Sequence, residues 1–330
     1  MIGVLSTAHC SLPTAFLLAP IRGVTDAVYR DAFASCFGGF DYAVSPFLQL
    51  RQGHPLRSAE LRQIAMENNR ALRTIPQVLT NHAPTFSAAL RELSEAGHEE
   101  VNWNLGCPYP TVAGRGRGAG LLPDATRIDR ILEEVLKDTS VRLSVKMRLG
   151  LHNPDEFQAV MEVLNRYPLT EVILHARTAD QMYEGGVDLA RARQALELCR
   201  HPFVYNGDIA TVDGWNVLEK QLPGVAGWMI GRSALRNPFL AAQIKAAAPL
   251  PSPDVRRERL IKFHDLLFEG YGQWLSGDQH RLDKMLAQWE YLAHAFADPH
   301  AVYSRVRRSH AGNYMATVKL ILTPHNRGCD

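Results

Sequence analysis

The sequence predicts an α/β protein: an eight-stranded (β/α)8 TIM barrel followed by a small all-α helical bundle. Three observations predict it. Short apolar runs of strand type alternate with longer helical patterns over about 230 residues, a usual span for such a barrel. Polar and charged residues recur where those strands stop. The pattern then changes at 248–253, beyond which no strand-like alternation occurs.

The first strand is the apolar run Phe16–Ala19, followed by a helix over Asp26–Cys36. Strands Tyr42–Ser45 and Ile75–Leu79 precede the helix Thr85–Ala96. Glu100–Asn104 leads to a helix over Ala125–Lys137, and Arg142–Met147 to Pro154–Arg166. Glu171–His175 leads to Leu189–Cys199, Phe203–Asn206 to Asp213–Lys220, and Gly227–Ile230 completes the set. Periodicity alone does not close a barrel, so a doubly wound open sheet is the competing arrangement. No Gly-x-Gly-x-x-Gly follows the first strand, which weighs against its dinucleotide-binding form. Ala248-Pro249-Leu250-Pro251-Ser252-Pro253 reads as a linker ending the last barrel helix. After it, Leu260, His264, Leu267 and Tyr271 share one helical face, and Leu282, Met285, Trp289 and Leu292 another. The expected division is 1–248 for the barrel and 249–330 for the bundle.

Composition narrows the function classes. The 330 residues are 46% hydrophobic and 21% charged with a net charge of +2, so any nucleic-acid binding must come from a local basic face. No apolar run approaches the roughly 18 residues of a membrane span. The N-terminus has no basic region ahead of an apolar core, so a cytoplasmic protein is expected. Cys10, Cys36, Cys107, Cys199 and Cys329 are scattered without a Cys-x-x-Cys pair, which favours a reduced compartment and gives no support to zinc or iron–sulfur ligation.

The most informative segment is Asn102-Trp103-Asn104-Leu105-Gly106-Cys107-Pro108, with Gly114-Arg115-Gly116-Arg117-Gly118-Ala119-Gly120 close behind. It puts a thiol on a turn just past a strand, where α/β enzymes keep their chemistry. A lone buried cysteine is the plainer alternative. Other polar residues fall at the same level: Pro20-Ile21-Arg22, Gln77, Lys146 and Arg148, His175 and Arg177, Asn206-Gly207-Asp208 and Gly231-Arg232. In a barrel they converge on one face. Lys146 on a buried strand would need an anionic partner. Gly231-Arg232 before a helix suits a phosphate. Together these residues suggest a phosphorylated planar cofactor, with Gln77 and Asn206 at its polar edges and Lys146 opposing an electron-rich ring.

The chain resembles the tRNA-dihydrouridine synthase family. The matching segments, in the family's order, are Leu18–Asp26 (Leu-Ala-Pro-Ile-Arg-Gly-Val-Thr-Asp), Asn104–Pro108, Ser144–Gly150, His175–Thr178, Asn206–Ile209 and Met229–Arg232, with a weaker match at Lys284–Trp289. The resemblance implies an FMN-binding TIM barrel and a C-terminal helical tRNA-binding domain. It implies reduction of the C5=C6 bond of a specific tRNA uridine, with NADPH, or NADH, regenerating the flavin. Hydride from reduced FMN would go to C6 and a proton from Cys107 to C5. Pro20, Ile21, Arg22, Gln77, Lys146, His175, Asn206, Gly207, Asp208, Gly231 and Arg232 would hold or adjoin FMN. Asn104, Arg148 and Arg177 would face the substrate, and Arg115, Arg117, Arg305, Arg307 and Arg308 would contact tRNA phosphates. A monomer with no obligate protein partner is expected.

Three positions depart from the family's usual motif. Ile21 stands where methionine is usual, Arg22 where a small or acidic residue is common, and Ala176 where glycine is usual. Two other functions share these features: a flavin-dependent reductase of a small pyrimidine or enone, and a non-catalytic RNA-binding protein on the same fold. Deleting residues 252–330 would be expected to spare the first and to abolish action on RNA.

Overall fold

The computed structural model describes residues 14–323; Cys10 and Cys329 lie outside them. The chain runs β1 (Ala15–Leu18), α1 (Ala27–Cys36), β2 (Tyr42–Val44), β3 (Leu48–Gln49), α2 (Ser58–Ile64), β4 (Thr74–Ile75), β5 (Gln77–Leu79), α3 (Ala83–Glu95) and β6 (Glu100–Leu105). It continues through α4 (Pro110–Ala113), α5 (Ala125–Val135), β7 (Arg142–Gly150), α6 (Glu156–Leu164), β8 (Leu169–Thr178), α7 (Leu189–Leu198), β9 (Phe203–Asn206), α8 (Val212–Gln221) and β10 (Gly227–Ile230). Six helices follow: α9 (Arg232–Arg236), α10 (Leu240–Ala246), α11 (Pro253–Trp274), α12 (Asp278–Leu292), α13 (Pro299–Arg307) and α14 (Tyr314–Leu322).

Every strand pairing among the described residues is parallel, and Pro76 explains how the ring closes. β1 pairs with β10 and β2, and β2 pairs with β4. β5 pairs with β6, and the ladder runs on through β7, β8 and β9 to β10. β4 and β5 are two halves of one strand, split because Pro76 has no N–H to give the ladder. Ser45 bridges the gap. Its N–H donates to the Ile75 carbonyl, and its Oγ accepts the Gln77 N–H at 3.0 Å. The Pro76 carbonyl accepts from Asn102 N–H at 2.8 Å. The barrel is thereby closed, and the open-sheet alternative is set aside. The short β3 is an extra strand beside β5 that the sequence reading did not anticipate.

Strand residues alternate between two apolar layers. Leu17, Ala19, Val44, Ile173, Val204 and Met229 form a cluster of their own inside the barrel. Phe16, Leu18, Trp103, Val145 and Leu174 join the larger core under the helices. One side of the interior is polar: Asn104 Nδ2 donates to Gln77 Oε1 at 2.7 Å, Gln77 Nε2 to Asn102 Oδ1 at 2.8 Å, and Asn102 Nδ2 to Ser144 Oγ at 3.0 Å. This chain satisfies buried amides that would otherwise be costly. Asp26, Asp124, Asp188 and Thr211 cap the helices that follow them, so the sequence sets where α1, α5, α7 and α8 begin.

The C-terminal helices are built into the barrel. Phe263 of α11 meets the rings of Tyr29, Phe33 and Phe37 on the barrel side. Asp26 Oδ2 accepts from Lys284 at 2.7 Å and its Oδ1 from Tyr271 OH at 3.1 Å. Lys284 also donates to the Gly23 carbonyl, and Gln288 to the Val24 carbonyl. A truncation at 252 would strip these partners from the loop after β1 and uncover the Phe33–Phe37 cluster. It would damage the barrel itself, so it does not separate RNA binding from catalysis as the sequence had suggested. Among the described residues no helix is long and apolar enough to cross a membrane.

At the N-terminal ends of the strands, Tyr42 OH donates to Glu171 Oε2 while Glu171 Oε1 is buried without a partner. Burial, with Glu100 nearby, pushes the Glu171 carboxyl up to about 7. A raised carboxyl pKa costs stability as pH rises from the unfolded value of 4.5 to about 7, by up to ~3 kcal/mol. Glu171→Gln should therefore gain melting temperature over wild type between pH 5 and 7.5, with no further gain above. Thermal unfolding across that range checks it, and a constant difference at all pH values would refute the assignment.

Candidate active site

The C-terminal ends of the strands open onto a cavity of about 470 Å³. Its walls include Pro20, Ile21 and Arg22 after β1, Gln77 from β5, Asn104 and Cys107 from β6 and its turn, and Lys146 and Arg148 from β7. His175 and Arg177 come from β8, Asn206, Gly207 and Asp208 from β9, and Gly231 and Arg232 from β10. Phe47, Tyr109, Tyr183, Arg236, Glu290 and Tyr291 complete the lining. Six cationic side chains face two carboxylates, Asp208 and Glu290.

Lys146 shows the imbalance most sharply. Its ammonium is bonded to Asn206 Oδ1 at 3.0 Å, and Asn206 Nδ2 donates in turn to the Met229 carbonyl. Among the described residues no carboxylate pairs with it, and its side-chain partner is a neutral amide, so the anionic partner expected from the sequence is not a side chain. Burial, reinforced by Arg148, pulls the lysine down to about 7. His175 is held well below the ordinary imidazole range, first by burial and then by the surrounding cations. Arg177 Nη1 donates to its Nε2 at 3.3 Å, so the ring is neutral with its proton on Nδ1.

The Cys107 turn is held by two devices. Asn104 Oδ1 accepts the backbone N–H groups of Gly106 and Cys107 at 3.0 and 2.9 Å. The Cys107 carbonyl accepts from Ala119 N–H at 3.1 Å, which clamps the glycine-rich segment onto the turn. Burial pushes the Cys107 thiol up, opposed in smaller measure by a backbone hydrogen bond and by Arg22, Arg148 and Lys146. The group is a thiol at neutral pH with cations placed to receive a thiolate.

Asn104, Arg148 and Arg177 are already engaged within the protein. Arg148 Nε donates to the Gly106 carbonyl and Nη1 to the Thr178 carbonyl at 2.7 Å. Arg177 forks onto both oxygens of Asp208 at 3.0 and 2.7 Å, and Nη2 also reaches the Gly185 carbonyl. That fork holds Asp208 in a left-handed conformation at φ +44, beside Gly207 at φ +148. The first duty of these three side chains is to shape the wall.

The Dihydrouridine synthase (Dus) family model matches residues 17–298. The chain belongs to the dihydrouridine synthase family. It is 30% identical over 236 residues to the tRNA-dihydrouridine(16) synthase of Ralstonia nicotianae (strain ATCC BAA-1114 / GMI1000), covering 69% of this chain and 72% of that one. It is 28% identical over 263 residues to the probable tRNA-dihydrouridine synthase of Helicobacter pylori (strain ATCC 700392 / 26695), covering 77% of each. Among solved structures it is similar in fold to a morphinone reductase variant in complex with tetrahydroNAD, at a TM-score of 0.51 and 12% identity, over 74% of this chain and 90% of that chain.

Against that family, the structure sorts the residues named from the sequence. All eleven proposed around the cofactor, with Cys107, Asn104, Arg148 and Arg177, line the one cavity. Arg115, Arg117, Arg305, Arg307 and Arg308 do not; Arg115 and the three C-terminal arginines are exposed and Arg117 is half-buried. Sequence reasoning missed Tyr183, whose ring lies 4.4 Å from the Arg232 guanidinium and 5.3 Å from that of Arg148. It sits in an irregular loop with no periodicity to flag it. Tyr291 had a signal: an aromatic residue off the buried stripe of α12.

The glycine-rich segment is a packing device. Gly118 has φ +56, and a Cβ there would lie 2.9 Å from both Cys107 Cβ and the Cys107 carbonyl oxygen. Gly118→Ala should cost about 1–3 kcal/mol in strain and overpacking, and should lower activity more than Arg115→Ala does. Paired thermal melts and rate measurements check this; an unaffected melt would remove the clamp.

Proposed function

We propose that this protein is an FMN-dependent, NADPH-driven tRNA-dihydrouridine synthase, reducing the C5=C6 bond of a specific tRNA uridine. The observation that carries the proposal is a buried ammonium with no carboxylate partner facing the cavity that holds a buried, protonated thiol. Family membership supplies the reaction. Relatives named for position 16, from Ralstonia nicotianae and Pseudomonas putida, make that uridine the first target to test.

The residues fit the cofactor. The cavity volume lies in the usual ligand-pocket range. Lys146 and Asn206 offer a donor pair to an anionic ring edge, and Gly231 and Arg232 suit the phosphate. Pro20, Ile21 and Arg22 form one wall, Gln77 presents its amide, and His175, Gly207 and Asp208 border the opposite strands. When bound and reduced, FMN supplies a hydride to C6 of the uracil.

Cys107 delivers the proton on Sγ to C5 and is left as a thiolate. Arg22, Arg148 and Lys146 stabilise that charge. Asn104 fixes the turn so that the thiol keeps its place, and Tyr183, stacked on Arg148 and Arg232, presents a flat apolar surface beside it. The target base must be unstacked to reach the cavity, at a cost of a few kcal/mol. We take residues 1–248 as the catalytic unit and 249–330 as the tRNA-holding unit, acting in the cytoplasm. Arg305, Arg307 and Arg308, exposed on and just after α13, with Arg115 and Arg117, would engage phosphates in a salt-dependent way.

The purified protein should show flavin absorption that bleaches on anaerobic NADPH addition, and should form dihydrouridine in unmodified tRNA. Cys107→Ala should still bleach but lose about 10²–10⁴ in tRNA reduction; an unchanged rate would remove the thiol's role. A protein that cannot be loaded with flavin would defeat the proposal.

Lys146→Met gives a second test. Removing a buried, amide-paired ammonium should leave the flavin-free protein as stable or more stable, while flavin affinity falls at least tenfold. Calorimetry and flavin titration separate the two effects. A large loss of stability with flavin binding intact would make Lys146 a structural residue.

A further inference from the structure

A second cavity, of about 450 Å³, adjoins the first. Arg236 lines both. Arg256, Arg257 and His294 join it, and among the described residues no carboxylate is in the wall. Arg257 is bonded at 2.8 Å to Asp254, an exposed residue outside the lining, and Asp213 in the first turn of α8 likewise lies outside it. Leu250 and Phe296 give the cavity an apolar side. Leu250 is 43% exposed, high for a large apolar side chain. Cations opposite an apolar face suit a nucleotide with a terminal phosphate: a base against the apolar side and a phosphomonoester among the guanidinium groups. A continuous phosphodiester track would need no such apolar wall.

The position fits a dinucleotide that enters the first cavity. Arg232, at the mouth of the first, and Arg236, shared with the second, lie one helical turn apart on α9, about 6 Å along its axis. We propose that this second cavity receives the 2′-phosphorylated adenosine of the reductant and is the source of selectivity for NADPH over NADH. The inference rests on the reading of the protein as a nicotinamide-driven flavoenzyme. Arg256 and Arg257 contact the 2′-phosphate, Arg236 spans the two cavities toward the pyrophosphate, and Leu250 covers the adenine. The unphosphorylated dinucleotide lacks the 2′-phosphate contacts with these guanidinium groups and binds more weakly.

Binding is measured first without turnover. Adenosine 2′,5′-bisphosphate is titrated calorimetrically into wild-type, Arg256→Gln and Arg257→Gln proteins, with adenosine 5′-monophosphate as the control lacking the 2′-phosphate. Wild type is expected to hold the bisphosphate at least about tenfold more tightly than the monophosphate, and each substitution to weaken the bisphosphate roughly ten- to hundredfold. Stopped-flow reduction of the flavin-loaded proteins then reads the NADPH-to-NADH preference, expected to fall by the same factor. Equal binding of the two adenosine nucleotides, or a preference unchanged in both variants, overturns the inference while leaving the functional reading intact. Substitutions that weaken tRNA binding but not the bisphosphate overturn it in favour of an RNA phosphate. Wild-type flavin that neither dinucleotide reduces overturns both.

Discussion

A buried ammonium bonded to an amide sets the terms for the rest of this site. Lys146 could have been paired with an aspartate on a neighbouring strand, as buried lysines usually are. It is paired with Asn206, which itself is anchored to the β10 backbone. The cost appears in the lysine's pull toward neutrality, which burial causes and which an anion bound in the cavity would offset. Six cations against two carboxylates leave a cavity that an anion completes. His175 stays neutral first because it is buried, and then because another positive charge there would be opposed by Arg148, Lys146, Arg177 and Arg232 together. In the proposed reaction both the phosphorylated cofactor and the RNA are anions, so one electrostatic preference serves both.

The second constraint is mechanical. The loop after β1 forms one wall of the cavity, yet its shape is held from outside the barrel by Lys284, Tyr271 and Gln288 around Asp26 and the carbonyls of Gly23 and Val24. The same helix, α12, places Glu290 and Tyr291 in the cavity lining. A helix that lines the cavity with two residues and braces this wall with two others cannot move independently of either, so the bundle belongs to the site's architecture.

Much of this was legible in the sequence. The strand register could be anticipated because apolar alternation and the polar residues at strand ends fall on fixed steps, and a closed parallel barrel turns those steps into one ring. The single broken strand was also written there, in Pro76, although only Ser45's two hydrogen bonds show how the gap is bridged. What could not be read were choices between partners. Asn104 and Arg177 are polar side chains at the right level, but their hydrogen bonds go to the Cys107 turn and to Asp208. The glycine-arginine segment, whose Arg115 and Arg117 the family resemblance assigns to tRNA phosphates, folds as a clamp because Gly118 and Gly120 leave no room for side chains against Cys107 and Ala113. Tyr183 lies in a loop whose position depends on Arg177 reaching the Gly185 carbonyl, a contact no local pattern encodes.

The cavity's size bears on the order of events. At about 470 Å³ it lies within the usual range for a ligand pocket, and Cys107 and Tyr183 share its lining. A nicotinamide and an extruded uracil would need the same space beside the flavin, next to Cys107 and Tyr183. In the proposed reaction they would occupy it in turn, the oxidised nucleotide leaving before the base enters. In the proposed reaction Cys107 would give up its proton to a base beside it, and burial, which pushes the thiol up, favours the protonated form until then. The adjoining cavity at Arg236 fits this alternation, since a dinucleotide anchored there would place only its nicotinamide in the shared space.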